Sequence, residues 1–557
     1  MRPCRININL RPLSSSSSLH LHSLSIAMTI PSWLTLFCSG LIASLGYFFV
    51  KLHLHRRFYR NVPTPPHSFL WGHLKLMGES MSLLPSGAHY QQVITTISQK
   101  YDMPGAWYLD LWPAGPSQLI VTDPDLANQF TVLKNHPKHI AAVNSMDAVL
   151  GTGNIATADG PAWKAAHNMV APAFSVSHQR NMAGMMAEEV MVFRSILREM
   201  ASSGEVFELE KVLQNLVLNT VARSIFEESL DAQRKETPML AKFHAACKEN
   251  VYIMQSWNPV GSFLARRRLS GLNGELEAQL ADMIRVRYEK LQRDNADVSQ
   301  KRGLCTVDLI LREHLLEVRT AQKEALDPTF MHMAISQVRT LLLAGSGTTT
   351  GTLSFAYALL SVNPQVLQKL RGEHDTVFCP GIEATYDLLQ TEPNRLNELE
   401  YTTNVIKEVL RLFPIGNSAR GEDATGFLTY KGQQLTTRGQ LVTGVQHTMH
   451  YDPRIYPNPT KFDPDRFTRN EVPRNAWRPF ERGQRACLGQ TMAMEEMKVT
   501  LLLTVRDFDF ECSGLKPTKQ RFGWTDLDTI FGDRAFTVMK FEAKPIDGMP
   551  MTVRRTK

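Results

Sequence analysis

The sequence predicts a mainly α, α+β protein: a large helical part, a smaller β-rich part, and an N-terminal membrane anchor. Three observations predict it. The segment Ile30 to Val50, "IPSWLTLFCSGLIASLGYFFV", carries no charge. Helical stretches dominate from Pro161 to Phe413, with apolar residues recurring at helical spacing. Short alternating runs bounded by turn residues, such as "QLIVTD" and "FLTYKGQQLTTRGQLVTG", read as strands. The bulk properties agree with a folded chain. Of 557 residues, 43% are hydrophobic and 21% charged, which suits a sizeable core and argues against global disorder. Net charge is 61 − 54 = +7, with no dense Lys/Arg run outside the N-terminus, so no nucleic-acid partner is expected. The 7 cysteines are odd in number and form no CxxC pair. Neither a disulfide framework nor a zinc ribbon is supported, and a reducing compartment fits better.

From the N-terminus, residues 1–29 read as an extension outside the fold. They carry Arg2, Arg5, Arg11 and the serine run Ser14 to Ser18 but no acid. That composition suits a targeting segment, or a start placed too early, since Met28 stands just before the apolar stretch. Residues 30–50 match the roughly 20 apolar residues that one helical crossing needs. A cleaved signal sequence is the alternative, but the stretch is long for one and the basic residues follow it. Lys51, Arg56, Arg57 and Arg60 place the C-terminal flank in the cytoplasm by the positive-inside rule. Residues 51–66, ending in "VPTPP", read as a basic and Pro-rich linker that favours stiff, extended chain. Residues 67–557 form the body of the chain.

Within the body, Gln118 to Asp123 reads as a strand, and Lys431-Gly432 and Arg438-Gly439 as turns between short strands. The clearest helix begins at Asp327-Pro328, a good N-cap and first residue, and ends at Asn363-Pro364. That is about 34 residues, or roughly 50 Å. Its middle, "AGSGTTTG", joins glycines to β-branched threonines and invites a local kink in which hydroxyls replace lost backbone bonds. Close packing at small residues is the competing reading. A second helix lies in "YTTNVIKEVLRLFP", where Glu408 and Arg411 share a face. Taken alone, such a pair reads as an ordinary surface ion pair.

One cysteine stands apart. In "RPFERGQRACLGQTMAMEEM", Cys487 lies among glycines and arginines just before a helix. Backbone N–H groups, the helix N-terminus and nearby cations predict a lowered thiol pKa. Such a thiolate serves as a nucleophile or a metal ligand, while an isolated cysteine also serves as a small buried hydrophobe. No His-containing signature lies close by, and no second Cys or His stands at zinc spacing. A solitary thiolate suits haem iron, whose porphyrin supplies four ligands of its own. Arg485 would then pair with a propionate, and Phe480 would shield the sulfur.

These residues carry a resemblance. Phe480, Gly483, Arg485, Cys487 and Gly489 fit F-x-x-G-x-R-x-C-x-G, the haem-binding loop of cytochrome P-450 monooxygenases. Glu408 and Arg411 fit the family's E-x-x-R helix. Phe462 to Phe467 resembles its F-x-P-x-R-F segment, whose arginine, here Arg466, joins that pair. Ala344, Gly345, Thr348 and Thr349 resemble its oxygen-binding helix. Trp163 resembles its W-x-x-x-R contact to a propionate, with His167 in the arginine's place. The similarity runs from about Pro63 to Lys544 and turns the Glu408–Arg411 pair into an expected buried network with Arg466.

The resemblance implies a haem-thiolate monooxygenase, with Cys487 as axial ligand to haem and Thr348 hydrogen-bonding the oxygen being split. Electrons would come from NADPH through a separate membrane-bound cytochrome reductase, since no glycine-rich flavin or nicotinamide fingerprint occurs. It implies a single-pass protein of the endoplasmic reticulum membrane with a cytosolic catalytic domain. Two departures stand out. The acid that usually precedes the threonine is Gly347 here, leaving Ser346, Thr349 or Thr350 to help hold a water chain. His167 in place of arginine makes a weaker or pH-dependent propionate contact. The segment Asn144 to Asn154 would roof the pocket, and its small apolar residues suggest a bulky hydrophobic substrate. The chain is similar to fungal members that oxidise polyketides or terpenoids in secondary metabolism, of the versicolorin and sterigmatocystin type. A reductase-independent isomerase or dehydratase and a non-catalytic haem sensor are the alternatives.

Overall fold

The computed structural model describes residues 32–175, 178–179, 182–256, 258–293, 304–321 and 326–556. The chain divides into two compact units, residues 1–58 and 59–557. The extension at residues 1–29 and the first residues of the expected span lie outside the described residues.

In the first unit a single helix, α1 (Ser32–Phe58), spans 27 residues. Its apolar side chains are bare over most of the expected span: Leu36 is 74% exposed and Ile42 70%. Among the described residues it is the one helix long and apolar enough to cross a membrane, over Leu36–Phe58. The helix runs past the expected end at Val50, so Lys51, Arg56 and Arg57 lie on it rather than in an extended linker. Nothing in "KLHLHRRF" breaks a helix, and the first proline comes only at Pro63. The expected linker over 51–66 is therefore confined to the residues after Phe58.

The second unit is helical with small sheets at its margins. Nine helices position the site: α2 (Gly160–Val170), α3 (Met182–Ser203), α4 (Leu209–Phe226), α5 (Pro238–Gln255), α6 (Pro259–Arg293), α7 (Thr306–Ala321), α8 (Pro328–Val362), α9 (Glu400–Leu412) and α10 (Gln490–Thr504). The strands are β1 (Ala106–Leu109), β2 (Gln118–Val121), β3 (Phe207–Glu208), β4 (Ser418–Arg420), β5 (Phe427–Tyr430), β6 (Gln433–Thr436), β7 (Leu441–Gly444), β8 (Phe508–Cys512), β9 (Thr537–Lys540), β10 (Glu542–Pro545) and β11 (Pro550–Arg555). One sheet has the order β1-β2-β7-β4, another β3-β11-β8, and β5-β6 and β9-β10 are hairpins. The β5-β6 turn puts Lys431 at φ 48° and Gly432 at φ 78°, the left-handed pair that a two-residue hairpin requires. The third strand of that region, β7, leaves the hairpin and pairs with β2 in parallel, Gln118 opposite Leu441.

Helix α8 runs through the centre. Asp327 caps it by accepting from the Thr329 N–H at 3.2 Å, with Pro328 as first residue. It is apolar nearly all round because it is buried nearly all round, with Val338, Leu342, Leu353 and Phe355 at most 1% exposed. The α-helical pattern continues unbroken through Ala344 to Gly351, contrary to the expected interruption. The hydroxyls instead donate to carbonyls one turn back, Ser346 to Leu342 and Thr350 to Ser346, without displacing the backbone bonds. The glycines serve close approach. A Cβ at Gly345 would lie 3.0 Å from Val221 Cγ2 on α4, and one at Gly351 3.3 Å from the Ala543 carbonyl on β10. Beyond this stretch Phe355 stacks on Phe413 with centroids 3.8 Å apart, tying α8 to the end of α9.

Candidate active site

The loop before α10 is built by short backbone bonds. The Cys487 N–H donates to the Phe480 carbonyl at 2.8 Å, and that of Ala486 to the Gly483 carbonyl at 3.0 Å. Gly483 has φ 83°, and a Cβ there would stand 2.8 Å from the Thr131 carbonyl, so glycine is required twice over. Gly489 has room, since a Cβ there meets only Phe174 at 3.8 Å and the Cys487 sulfur at 4.0 Å. The thiol corrects an expectation. Burial pushes the Cys487 pKa up, and the Gly489 N–H offsets this only in part. The loop cations do not reach the sulfur: Arg485 pairs with Asp159 at 2.7 Å and donates to the Ala158 carbonyl at 2.7 Å. A thiolate here thus needs a partner that compensates its charge, which a metal does.

Cys487 opens onto a cavity of about 510 Å³. Phe480, Gly483, Arg485 and Gly489 line the same wall, Thr348 and Thr349 line it from α8, and Trp163 and His167 from α2. The Trp163 and His167 rings lie 4.9 Å apart, and the Arg485 guanidinium lies over Trp163 at 4.9 Å. Thr348 Oγ1 donates to the Ala344 carbonyl at 2.8 Å, which leaves its lone pairs free to accept. Gly347 does not join this cavity. It faces a second one, of about 1130 Å³, on another side of α8. Of the segment Asn144 to Asn154, only Met146 lines the smaller cavity, with Ile155 and Ala156 just beyond it. The rest of that segment is occupied in the turns of the helix Ile140–Leu150 and in the loop after it.

The rim is cationic. Lys138 lines the cavity, and its pKa is pushed down to about 7 by burial and by Arg420 and Arg485. Arg420 on β4 is 1% exposed, and its Nε and one terminal nitrogen have no partner among the described residues. Burial and Arg485 push its pKa down to about 10. Buried guanidinium donors without acceptors are costly unless an anion meets them. Among the described residues no group of three or more His, Cys, Asp or Glu could hold a metal. A lone sulfur on one wall, hydroxyls opposite, and the cations Lys138 and Arg485 on the lining fit a metal that brings its own ligands and carries acidic substituents. Haem has those properties.

Behind the loop lies the ion network. Glu408 and Arg411 on α9 are 0% exposed and meet in a bidentate pair, with Nε to Oε2 and the terminal nitrogen to Oε1 both at 2.8 Å. Arg466 Nε reaches both Glu408 oxygens at 3.0 and 3.1 Å. Arg411 spends its remaining donors on the carbonyls of His450, Pro459 and Lys461. The pair is a buried triad, not a surface bridge.

Fold and site together define a haem-thiolate protein: a helical body, a lone cysteine on a glycine-turned loop, and a threonine-bearing helix across the cavity. The chain belongs to the cytochrome P450 family, whose model matches residues 63–529. It is 29% identical to cytochrome P450 monooxygenase polC of Polytolypa hystricis, over 93% of this chain and 94% of the relative. It is 27% identical to cytochrome P450 monooxygenase ptmG of Penicillium ochrochloron, over 91% of this chain and 92% of the relative. The fold is that of the cytochrome P450DA haem domain, with a TM-score of 0.69 over 89% of this chain and 98% of that one at 22% identity. The protein is a cytochrome P450 monooxygenase, and its cofactor is haem on a cysteine thiolate.

Sequence reasoning missed Asp159, Lys138, Arg420 and the buried Glu496. Asp159 had a signal, because Asp-Gly-Pro four residues before Trp163 is a helix start. The others come from separate elements and meet only in space.

Proposed function

We propose that this chain is a membrane-anchored monooxygenase in which Cys487 is the haem ligand. It inserts one oxygen atom into a bulky hydrophobic small molecule, a polyketide or terpenoid of a fungal secondary-metabolite pathway: RH + O2 + NADPH + H⁺ → ROH + H2O + NADP⁺. Electrons arrive through a separate NADPH–cytochrome reductase. Helix α1 anchors the protein in the endoplasmic reticulum membrane as a single span, with the basic flank and catalytic unit on the cytosolic side. The observation that carries this reading is Cys487 facing Thr348 across one cavity.

Bound haem supplies the oxygen activation. The chain supplies the rest. Phe480 and the Gly489 N–H shelter the sulfur. Arg420, Lys138, Arg485 and His167 receive the acidic edge of the cofactor, Trp163 and Thr348 bound its space, and the Thr348 hydroxyl holds a proton at Oγ1. Met146, Ile155, Met182, Val221 and Leu341 give the cavity an apolar lining suited to a hydrophobic substrate and to excluding water. Whole-length similarity to fungal monooxygenases supports the pathway class.

The test pairs spectroscopy with product analysis. Cys487→Ala abolishes the haem-thiolate band of the reduced carbon monoxide complex. Membranes carrying the wild-type chain and a reductase consume NADPH and O2 in step with product, the substrate being the metabolite that accumulates in a strain lacking the gene. Product formed without NADPH or O2 would instead support a reductase-independent isomerase or dehydratase. A haem-loaded protein with no turnover of that metabolite would be a sensor.

A further inference from the structure

The space that an acidic side chain at position 347 would need is taken by an acid from elsewhere in the chain. A Cβ at Gly347 would collide with the carboxylate of Glu542, the first residue of β10. Glu542 comes to α8 from about two hundred residues downstream. Its approach is enforced. The β9-β10 hairpin turns on one residue, Phe541, with Lys540 opposite Glu542, and that bulky residue is held at φ 83°. Such a conformation is strained for a bulky residue and persists only where the surroundings impose it. Next along β10, the Ala543 N–H donates to the Ile415 carbonyl at 3.2 Å, and the Ala543 carbonyl packs against Gly351 one turn along α8. Two glycines one turn apart thus form a groove in α8 that seats the start of β10.

Glu542 also lines the cavity of about 1130 Å³, which reaches the surface past exposed Lys235, Glu236 and Lys248. Its side chain is only 12% exposed. The charged and titratable groups around it come from five elements, its own strand included. Lys544 on its own strand lies 3.5 Å away and also 3.4 Å from Glu210 on α4. Lys540 on β9 lies 3.9 Å from Glu210. His244 and Cys247 on α5 line the same cavity. Arg339, on α8 itself, adds positive charge near Cys247. Burial holds the Glu542 pKa above the ordinary carboxyl value, Glu210 adds to that, and Lys544 offsets it.

We propose that Glu542 is the positioning acid for proton supply in this enzyme, standing in from β10 for the acid that α8 lacks at Gly347, with the larger cavity as its water path to solvent. This rests on the monooxygenase reading above. The proton leaves the Glu542 carboxyl in the larger cavity, crosses by water past α8 to Thr348 Oγ1 on the smaller one and so to the oxygen being reduced, and the carboxylate recovers a proton from solvent through the larger cavity. NADPH supplies the electrons, and no net charge stays on Glu542.

The test uses the full-length holoenzyme in membranes with a reductase, NADPH and, as substrate, the metabolite that accumulates in a strain lacking the gene. Infrared spectra of the purified protein come first. The wild-type minus Glu542→Gln difference spectrum shows a protonated carboxyl C=O band that titrates with pH, separate from the band of Glu496 that both proteins keep. In turnover, Glu542→Gln sends a several-fold larger share of the consumed electrons to hydrogen peroxide and loses the pH dependence of that share, while its carbon monoxide spectrum stays that of wild type. The double variant Gly347→Asp/Glu542→Ala, which moves the acid onto α8 in the space just vacated, restores coupling that Glu542→Ala alone lacks. An unchanged peroxide share and pH profile in Glu542→Gln overturns the proposal, as does a wild-type minus Glu542→Gln difference spectrum that contains no titrating carboxyl band. A wild-type enzyme that consumes no NADPH overturns the monooxygenase reading instead, and the infrared titration still decides whether Glu542 holds a proton.

Discussion

Replacing Glu408 by glutamine removes one charge from a fully buried group of three and is expected to be among the most destabilising single changes in the chain. Glu408 accepts two bonds from Arg411 at 2.8 Å, two from Arg466 at 3.0 and 3.1 Å, and one from the Asp463 N–H at 3.0 Å. Glutamine keeps the shape but turns N–H donors toward guanidinium donors. Two cations then lie buried at 0% and 1% exposure with no counter-charge. Removing one partner of a buried pair costs about 3–5 kcal/mol, because the remaining charge stays desolvated. A second variant calibrates this. Glu79 meets Lys75 at 3.8 Å with the two side chains 54% and 74% exposed, so Glu79→Gln should cost no more than about 1 kcal/mol. Urea unfolding of the purified full-length chain, followed by circular dichroism and by haem absorbance, reads both. A Glu408→Gln midpoint no lower than that of Glu79→Gln would refute the account of the triad.

Three further outcomes follow from the site. Thr348→Ala keeps the carbon monoxide spectrum but uncouples NADPH use from product, measured as peroxide released per NADPH; full coupling would remove Thr348 from its role. Arg420→Leu weakens haem retention by about 1.5–3 kcal/mol, the worth of hydrogen bonds to a charged group, while leaving the haem-free protein as stable or more so; a haem titration that weakens with no loss in apoprotein unfolding midpoint is the expected result, and a lower apoprotein midpoint contradicts it. Glu496 is 2% exposed, and burial raises its pKa from 4.5 to about 8. An acid whose folded pKa is raised loses stability as pH climbs from the unfolded to the folded value, so Glu496→Gln should gain about 4 kcal/mol relative to wild type between pH 5 and pH 8. A constant difference across that range would contradict it.

Much of the site was legible because its chemistry is local in sequence. The loop from Phe480 to Gly489 must turn on a left-handed glycine and present one sulfur, and a ten-residue window holds all of that. The cap of α8 at Asp327-Pro328 and the turn at Lys431-Gly432 were equally local. Readings that depended on environment fared worse. The Cys487 thiol was expected to be acidic from its neighbours in sequence, yet Arg485 is committed to Asp159, and burial outweighs the single N–H. The interruption expected in α8 did not form, because neighbouring elements fill the glycine gaps and burial favours a continuous hydrogen-bonded helix.

The sequence by itself determined the glycine-turned cysteine loop, the membrane-length segment, the helical body and the residues of the Glu408 network, since each depends on spacing within a few turns of chain. Tertiary structure decided what those residues face. It brought Lys138 to the cavity with Arg420 beside it, set Gly347 against a different cavity from Thr348, and delivered Glu542 to α8. The reason is that charge and proton affinity depend on desolvation and on neighbours from distant elements, which come together only once the chain has packed.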